Sequence, residues 1–246
     1  MARFALSGEN IPKLTSALFL AERIHFALVD LSDGCPTFTG CDSFRRPLRG
    51  HKHAYIFCES DINSGGESGQ ITHVTVYARS GFGLRERKAL QSLARIWGPE
   101  DLEVRLALQE MGSAEDFAGS SPLFGQSRIW VSRTPFLPGR HAKRTRAGAP
   151  KCDARGLQIG GPEHELLRLL ALAGLPEPVA LEPVAGTRLG GMDVAWHDFS
   201  RQRSGSGQAA KAGYGFRIRF HEAVAGPVAL GAESHFGMGG FEADGG

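Results

Sequence analysis

Residues 53–58, His-Ala-Tyr-Ile-Phe-Cys, and residues 71–78, Ile-Thr-His-Val-Thr-Val-Tyr-Ala, decide the fold. Both alternate apolar and polar positions, the period of a half-buried strand, and the turn-rich Asp61-Ile-Asn-Ser-Gly-Gly-Glu-Ser-Gly69 joins them into a hairpin. Working outward toward the start, Cys35 to Gly50 has scattered Gly, Pro and Asp without a period and reads as a long loop. Ile11 to Asp30 carries Leu14, Leu18, Ala21, Ala27 and Leu28 near helical spacing, and Arg3 to Ser7 is a short alternating strand. In the other direction, Leu84 to Trp97 has an apolar side of Leu84, Leu90, Leu93, Ala94 and Trp97, closed by Gly98-Pro99, and Leu102 to Leu108 is a further strand. The order β-α-β-β-α-β is the ferredoxin-like, split βαβ arrangement, expected over residues 1–126.

The remainder, residues 127–246, reads as a second unit of the same kind in degenerate form. Arg128 to Thr134 is a strand with Ile129 and Val131 on one side, and Pro135 to Pro150 is a basic segment expected to be an exposed loop. Glu163 to Ala173 is a leucine-rich helix ended at Gly174, followed by a strand at Val179 to Val184. Thr187 to Ala212 is rich in Gly and Ser and is expected to be mobile, Tyr214 to Phe220 and Val228 to Leu230 are strands, and Gly231 to Phe241 is glycine-rich. The expected class is α+β, two ferredoxin-like (βαββαβ) units side by side. The halves share no sequence repeat.

Composition sets the outer limits. The 246 residues are 41% hydrophobic and 22% charged, with no apolar run near the roughly 18 residues that a membrane span needs, so disorder, collagen and membrane insertion are excluded. Cys35, Cys41, Cys58 and Cys152, without a signal-like apolar stretch near the start, read as reduced thiols of a cytoplasmic protein. The net charge of +2 hides an uneven distribution: Arg128 to Arg155 holds eight Lys or Arg against the single acid Asp153, whereas Glu100 to Gln126 holds six acids and the single base Arg105. Glycine is also uneven, with 11 of its 33 copies from Gly205 onward.

Three clusters could carry chemistry. In Gly50-His51-Lys52-His53-Ala54-Tyr55 the two histidines lie two apart on a strand edge, on one side, with a lysine between them. Imidazole exchanges a proton near neutrality and an adjacent ammonium can hold a phosphate's developing charge, which suits phosphodiester cleavage. A surface histidine beside a strand-packing one would read the same way. Glycines from Gly231 to Gly240 could let the backbone approach phosphate oxygens, with His235 as a base or phosphate contact, or could form an ordinary turn. The stretch is neither a P-loop nor a dinucleotide fingerprint. The basic run could be a phosphate track or a solvated loop.

No metal or cofactor is expected. Cys35, Cys41, Cys58, His51 and His53 lack the paired Cys-x-x-Cys halves of a zinc site. The loop from Asp61 fails as a calcium site because Gly65 and Thr72 stand where ligands are required. No Gly-x-Ser-x-Gly elbow or catalytic carboxylate pair is present.

Taken in order, Phe4-Ala-Leu-Ser-Gly8, Arg46-Pro-Leu-Arg-Gly-His-Lys-His-Ala54, Ile71-Thr-His-Val-Thr-Val-Tyr-Ala78, Trp130-Val-Ser-Arg-Thr-Pro-Phe136, Gly226-Pro-Val-Ala-Leu-Gly231 and His235-Phe-Gly-Met-Gly239 span nearly the whole chain. In this order the sequence resembles the CRISPR-associated precursor-crRNA endoribonucleases of the repeat-associated RNA-binding (RAMP) superfamily, especially the endoribonuclease half of the fused protein of subtype I-G (formerly I-U) systems. The resemblance implies metal-independent cleavage of CRISPR repeat RNA, in which the ribose 2′-hydroxyl attacks the adjacent phosphate and leaves a 2′,3′-cyclic phosphate and a 5′-hydroxyl. It implies His51 or His53 as the proton-transfer group, Lys52 or an arginine stabilising the phosphorane, and RNA contacts from Arg128, Arg133, Arg140, Lys143, Arg144, Arg146, His235, Gly237 and Gly239. The partners it implies are the crRNA and other subunits of a type I effector complex. Fused relatives carry a further RNA-binding domain before this region, so the chain reads as a stand-alone form or a C-terminal half. Some relatives bind the repeat without cutting it, so a non-catalytic guide-RNA scaffold is the alternative.

Overall fold

A computed structural model describes residues 1–48, 50, 52–60, 69–99, 102–117, 119–203 and 211–244. The first half consists of β1 (Ala2–Ser7), α1 (Ala17–Leu31) entered through a 3-10 turn at Leu14–Ser16, the single-turn α2 (Pro36–Thr39), β2 (Tyr55–Glu59), β3 (His73–Tyr77), α3 (Leu84–Ser92), β4 (Arg95–Trp97) and β5 (Glu103–Met111). The second half consists of β6 (Gln126–Ser132), α4 (Pro162–Leu172), β7 (Ala180–Val184), β8 (Gly186–Leu189), β9 (Met192–Ala195), β10 (Gly215–Ala225), β11 (Val228–Ala229) and β12 (Gly240–Ala243). The class is mixed α+β.

Among the described residues, two five-stranded antiparallel sheets organise the chain, in the orders β2-β3-β1-β5-β4 and β11-β12-β6-β10-β7, and β8 pairs only with β9. In the first sheet the register sets Ile56 opposite Val76 and Phe4 opposite Val74. Alternation then sends these four to one face. There they pack with Leu18, Ala21, Ile24 and Leu28, which recur down one side of α1. On the opposite face Tyr55 and Phe57 meet Phe117, Leu123 and Phe124 from the connection into β6. In the second sheet Trp130, Phe216, Ile218 and Phe241 form a core with Leu166 and Leu170 of α4. The first core is not confined to its own sheet, because Leu137, Trp196, Phe199 and Met238 from the second half are buried within it.

Several elements depart from the sequence expectation. The helix expected over residues 84–97 ends at Ser92, and Arg95–Trp97 becomes the edge strand beside β5, with Ile96 opposite Val104. Leu93 turns extended (ψ 91°), after which Ile96 is buried while Arg95 and Trp97 face outward, a period of two rather than of a helix. The expected loop over residues 35–50 contains α2 and a tight turn capped by Asp42, whose carboxylate accepts the Phe44 and Arg46 amides at 2.9 Å. The segment from Thr187, expected to be mobile, begins as the β8–β9 hairpin turned at Gly190 and Gly191, both at positive φ. Residues 204–210 of that segment, and most of the hairpin turn from Asp61, lie outside the described residues. The basic loop starts buried: Phe136 and Leu137 are fully covered, and Phe136 exchanges backbone hydrogen bonds with Tyr214 at 2.7 and 3.0 Å.

Candidate functional site

The site grows from the place where the glycine-rich segment folds back onto the first sheet. After β11 the chain turns through Gly231 (φ +99°), Glu233 (φ +58°), Gly237 (φ +79°) and Gly239 (φ +58°), and Ser234–Phe236 form a short 3-10 turn. This path needs glycine at two positions in particular. A side chain on Gly239 would strike the Leu230 carbonyl, and one on Gly237 would lie 3.0 Å from the Ile56 carbonyl of β2. Thr134 fastens the turn, donating its hydroxyl to the Gly237 carbonyl at 2.8 Å and accepting the Gly240 amide at 2.9 Å. Met238 at its centre is fully buried in the first core, which stabilises this closure by about 1.5–3 kcal/mol.

The turn thereby delivers His235 to the start of β2. Its ring stacks on His53 with centroids 3.3 Å apart and on Tyr55 at 3.9 Å. Nδ1 lies 3.1 Å from the Ala54 carbonyl oxygen. A carbonyl only accepts, so the proton sits on Nδ1, and Nε2 carries the lone pair whenever the ring is neutral. Two imidazolium rings at this separation would repel each other, which disfavours the doubly charged pair.

A third histidine and an ion pair frame the stack. His25 of α1 meets Phe236 edge-on at 5.0 Å. Burial first, then the positive charge of Arg203 and the proximity of His53, push its pKa down to about 4, against the opposing pull of Glu22. Arg203 lies 4.1 Å above the Phe236 ring and pairs with the buried Glu22 at 3.1 Å. Tyr55 is buried, and that burial pushes its hydroxyl up to about 12, against the charge of Arg79, so it is a neutral donor rather than a base.

The basic segment is a built element rather than a loose run. Lys143, Lys151 and Ile159 are tied side by side through backbone hydrogen bonds of 2.8–3.0 Å. Two tight turns project from this base, at Thr145–Gly148 and Asp153–Gly156. The Asp153 carboxylate accepts the Arg155 and Leu157 amides at 2.9 Å, the same construction as at Asp42. Arg140, Lys143, Arg144 and Arg146 are all exposed on it.

Among the residues expected to act, the structure unites His53 with His235, from opposite halves of the chain. His51 lies outside the described residues, and Lys52 is exposed beside His53. Arg128 is exposed on β6. Arg133 is 7% exposed and holds the structure together: it donates to the Ser60 hydroxyl at 2.6 Å and the Arg188 carbonyl at 2.8 Å and pairs with Glu242 at 3.6 Å. Gly237 and Gly239 are buried, and close backbone packing accounts for them. His25, Glu22, Tyr55, Arg203 and Phe236 were not singled out by sequence. The one local signal was the i, i+3 spacing that places Glu22 and His25 on one helix face.

Among the described residues no helix is long and apolar enough to cross a membrane, and no group of three or more His, Cys, Asp or Glu side chains could hold a metal ion. No protein-family model, curated protein or solved structure matches the chain.

Proposed function

We propose that the chain is a metal-independent endoribonuclease of the RAMP superfamily that cuts precursor CRISPR RNA within its repeats. The observation that carries the proposal is the His53–His235 stack, in which two proton-transfer groups from separate halves of the chain share one place. Cleavage by the 2′-hydroxyl needs a neutral base to take the attacking hydroxyl's proton and a protonated acid to give one to the departing 5′-oxygen. Two imidazoles placed side by side can divide those roles, one ring acting neutral as the base and the other protonated as the acid. The Lys52 ammonium beside His53, or a nearby arginine, stabilises the dianionic phosphorane. The exposed cations Arg128, Arg140, Lys143, Arg144 and Arg146 attract the RNA backbone.

The strand orders support the fold part of this reading. Without the edge strands β4 and β11, both sheets follow one pattern: the second and third main strands, then the first, then the last. Two ferredoxin-like units of one design would produce it.

The test is incubation of the protein with its own repeat RNA in EDTA. Cleavage that survives chelation, leaves a 2′,3′-cyclic phosphate, and falls at least 100-fold in His53→Ala and in His235→Ala is expected, about the worth of a positioned acid or base. Tight binding of the repeat without a cut would replace this reading with the guide-RNA scaffold.

A further inference from the structure

A cavity of about 330 Å³ opens where the root of the basic loop meets the approach to β10. Arg140, His141, Lys211 and Tyr214 supply its polar and aromatic lining, and Pro138 and Pro162 its apolar walls. Its residues are separate from the histidine stack. No carboxylate lines it among the described residues. Glu165, whose side chain lies behind Gly139, is fully buried and neutralised by Arg168 at 2.6 Å. Neither Arg140 nor Lys211 forms an ion pair among the described residues.

The cavity's frame is rigid. Tyr214 is fixed by its paired backbone hydrogen bonds to Phe136, and the Lys211 carbonyl accepts from Arg201 Nη1 at 2.8 Å. Gly160 adopts φ +74° directly beneath the His141 carbonyl, where a side chain would collide. Tyr214 remains 36% exposed at the rim, so part of its ring is open to a ligand. Two cations without an ion pair among the described residues, set against an aromatic face in a space at the small end of ligand pockets, suit a phosphate that carries a planar base.

We propose that this pocket holds one nucleotide of a single-stranded RNA, with its phosphate between Arg140 and Lys211 and its base on Tyr214. The proposal rests on the ribonuclease reading only for the polymer that supplies the nucleotide; the nucleotide chemistry is tested by itself. Titration of the whole chain with uridine 5′-monophosphate, and in parallel with uridine and with inorganic phosphate, reads the site directly. The monophosphate is expected to bind more tightly than either fragment. Arg140→Ala and Lys211→Ala should each weaken it about tenfold, the loss of one charge-assisted hydrogen bond. Tyr214→Leu should weaken the monophosphate about fivefold or more and leave inorganic phosphate unmoved, whereas Tyr214→Phe keeps the affinity.

Three results would overturn the pocket: no binding of the monophosphate at millimolar concentration, binding no tighter than inorganic phosphate, or affinity indifferent to Arg140→Ala and Lys211→Ala in variants whose circular dichroism is unchanged. Repeat cleavage measured on the same preparations separates the two ideas. Absence of nucleotide binding by the unaltered chain with its cleavage intact removes the pocket alone, and nucleotide binding without cleavage removes the ribonuclease alone.

Discussion

His25 is neutral in the folded chain because its ring is covered and Arg203 stands near it, and this has a calculable sign. Unfolded, the ring takes up its proton near the ordinary value of about 6.5; folded, it does so only near 4. Between those values the unfolded chain binds more protons, so the contribution of His25 is fully present above the upper value and is lost as pH falls toward the lower one, by on the order of 2 kcal/mol. Urea unfolding followed from neutrality down to about pH 4 should show this loss, and His25→Gln should show less of it. Identical pH dependence in the two proteins would contradict the assignment. Gly239 offers a second test at the same scale. Its φ of +58° and the Leu230 carbonyl leave no room for a side chain, so Gly239→Ala is expected to cost about 2–4 kcal/mol in urea unfolding. A loss below about 1 kcal/mol would mean that the turn relaxes easily. Arg133→Ala should likewise cost about 2–3 kcal/mol, because it strips Ser60 and Glu242 of their shared partner.

At the scale of elements, the proposed ribonuclease would use the basic loop to hold RNA, while the glycine-rich turn places His235 against His53. The joint neutralisation of Arg140, Lys143, Arg144 and Arg146 is expected to weaken repeat RNA and to flatten the salt dependence of binding by about one unit of slope for each phosphate that these cations neutralise. An unchanged slope would mean that this element is not a phosphate track. Elements with a long period were legible from sequence. The apolar side of α1 recurs over fifteen residues, and β2 and β3 were legible as strands, although both faces of each are covered rather than the one face that an alternating pattern implies. β4, β8 and β9 were not, because strands of three or four residues carry too few positions for a period and exist through the partner they pair with. The shared capped turn was written in Cys41-Asp42 and Cys152-Asp153, but a dipeptide becomes informative only after both carboxylates are seen to accept the same two amides. His53 was legible from its place beside Lys52. Its distant neighbours were not: His235 reaches Ala54, and Arg203 reaches Glu22, each across 181 residues of chain, and no local pattern encodes such a meeting.

At the scale of the whole molecule, the burial of Leu137, Trp196, Phe199 and Met238 in the core of the first sheet couples the two halves. The chain is therefore expected to unfold as one cooperative unit. Cys58 of β2 reports on the first sheet, because it is buried and that burial pushes its thiol far up, while Trp130 reports on the second core. Reagent access to Cys58 and the fluorescence of Trp130, followed in a chain carrying Trp97→Phe and Trp196→Phe, should share one urea midpoint; separate midpoints would mean that the halves are independent. That coupling matters for the proposed function, since the histidine stack forms where the glycine-rich turn of one half is seated on β2 of the other. The most direct test of the stack as an acid and a base is single-turnover cleavage of a repeat RNA whose scissile 5′-oxygen is replaced by sulfur, a leaving group that departs without protonation. If the two rings divide the roles, this substrate restores cleavage to one of His53→Gln and His235→Gln and leaves the other inactive. Full activity of both variants on the ordinary RNA, or restoration of neither by the sulfur substrate, would contradict the account.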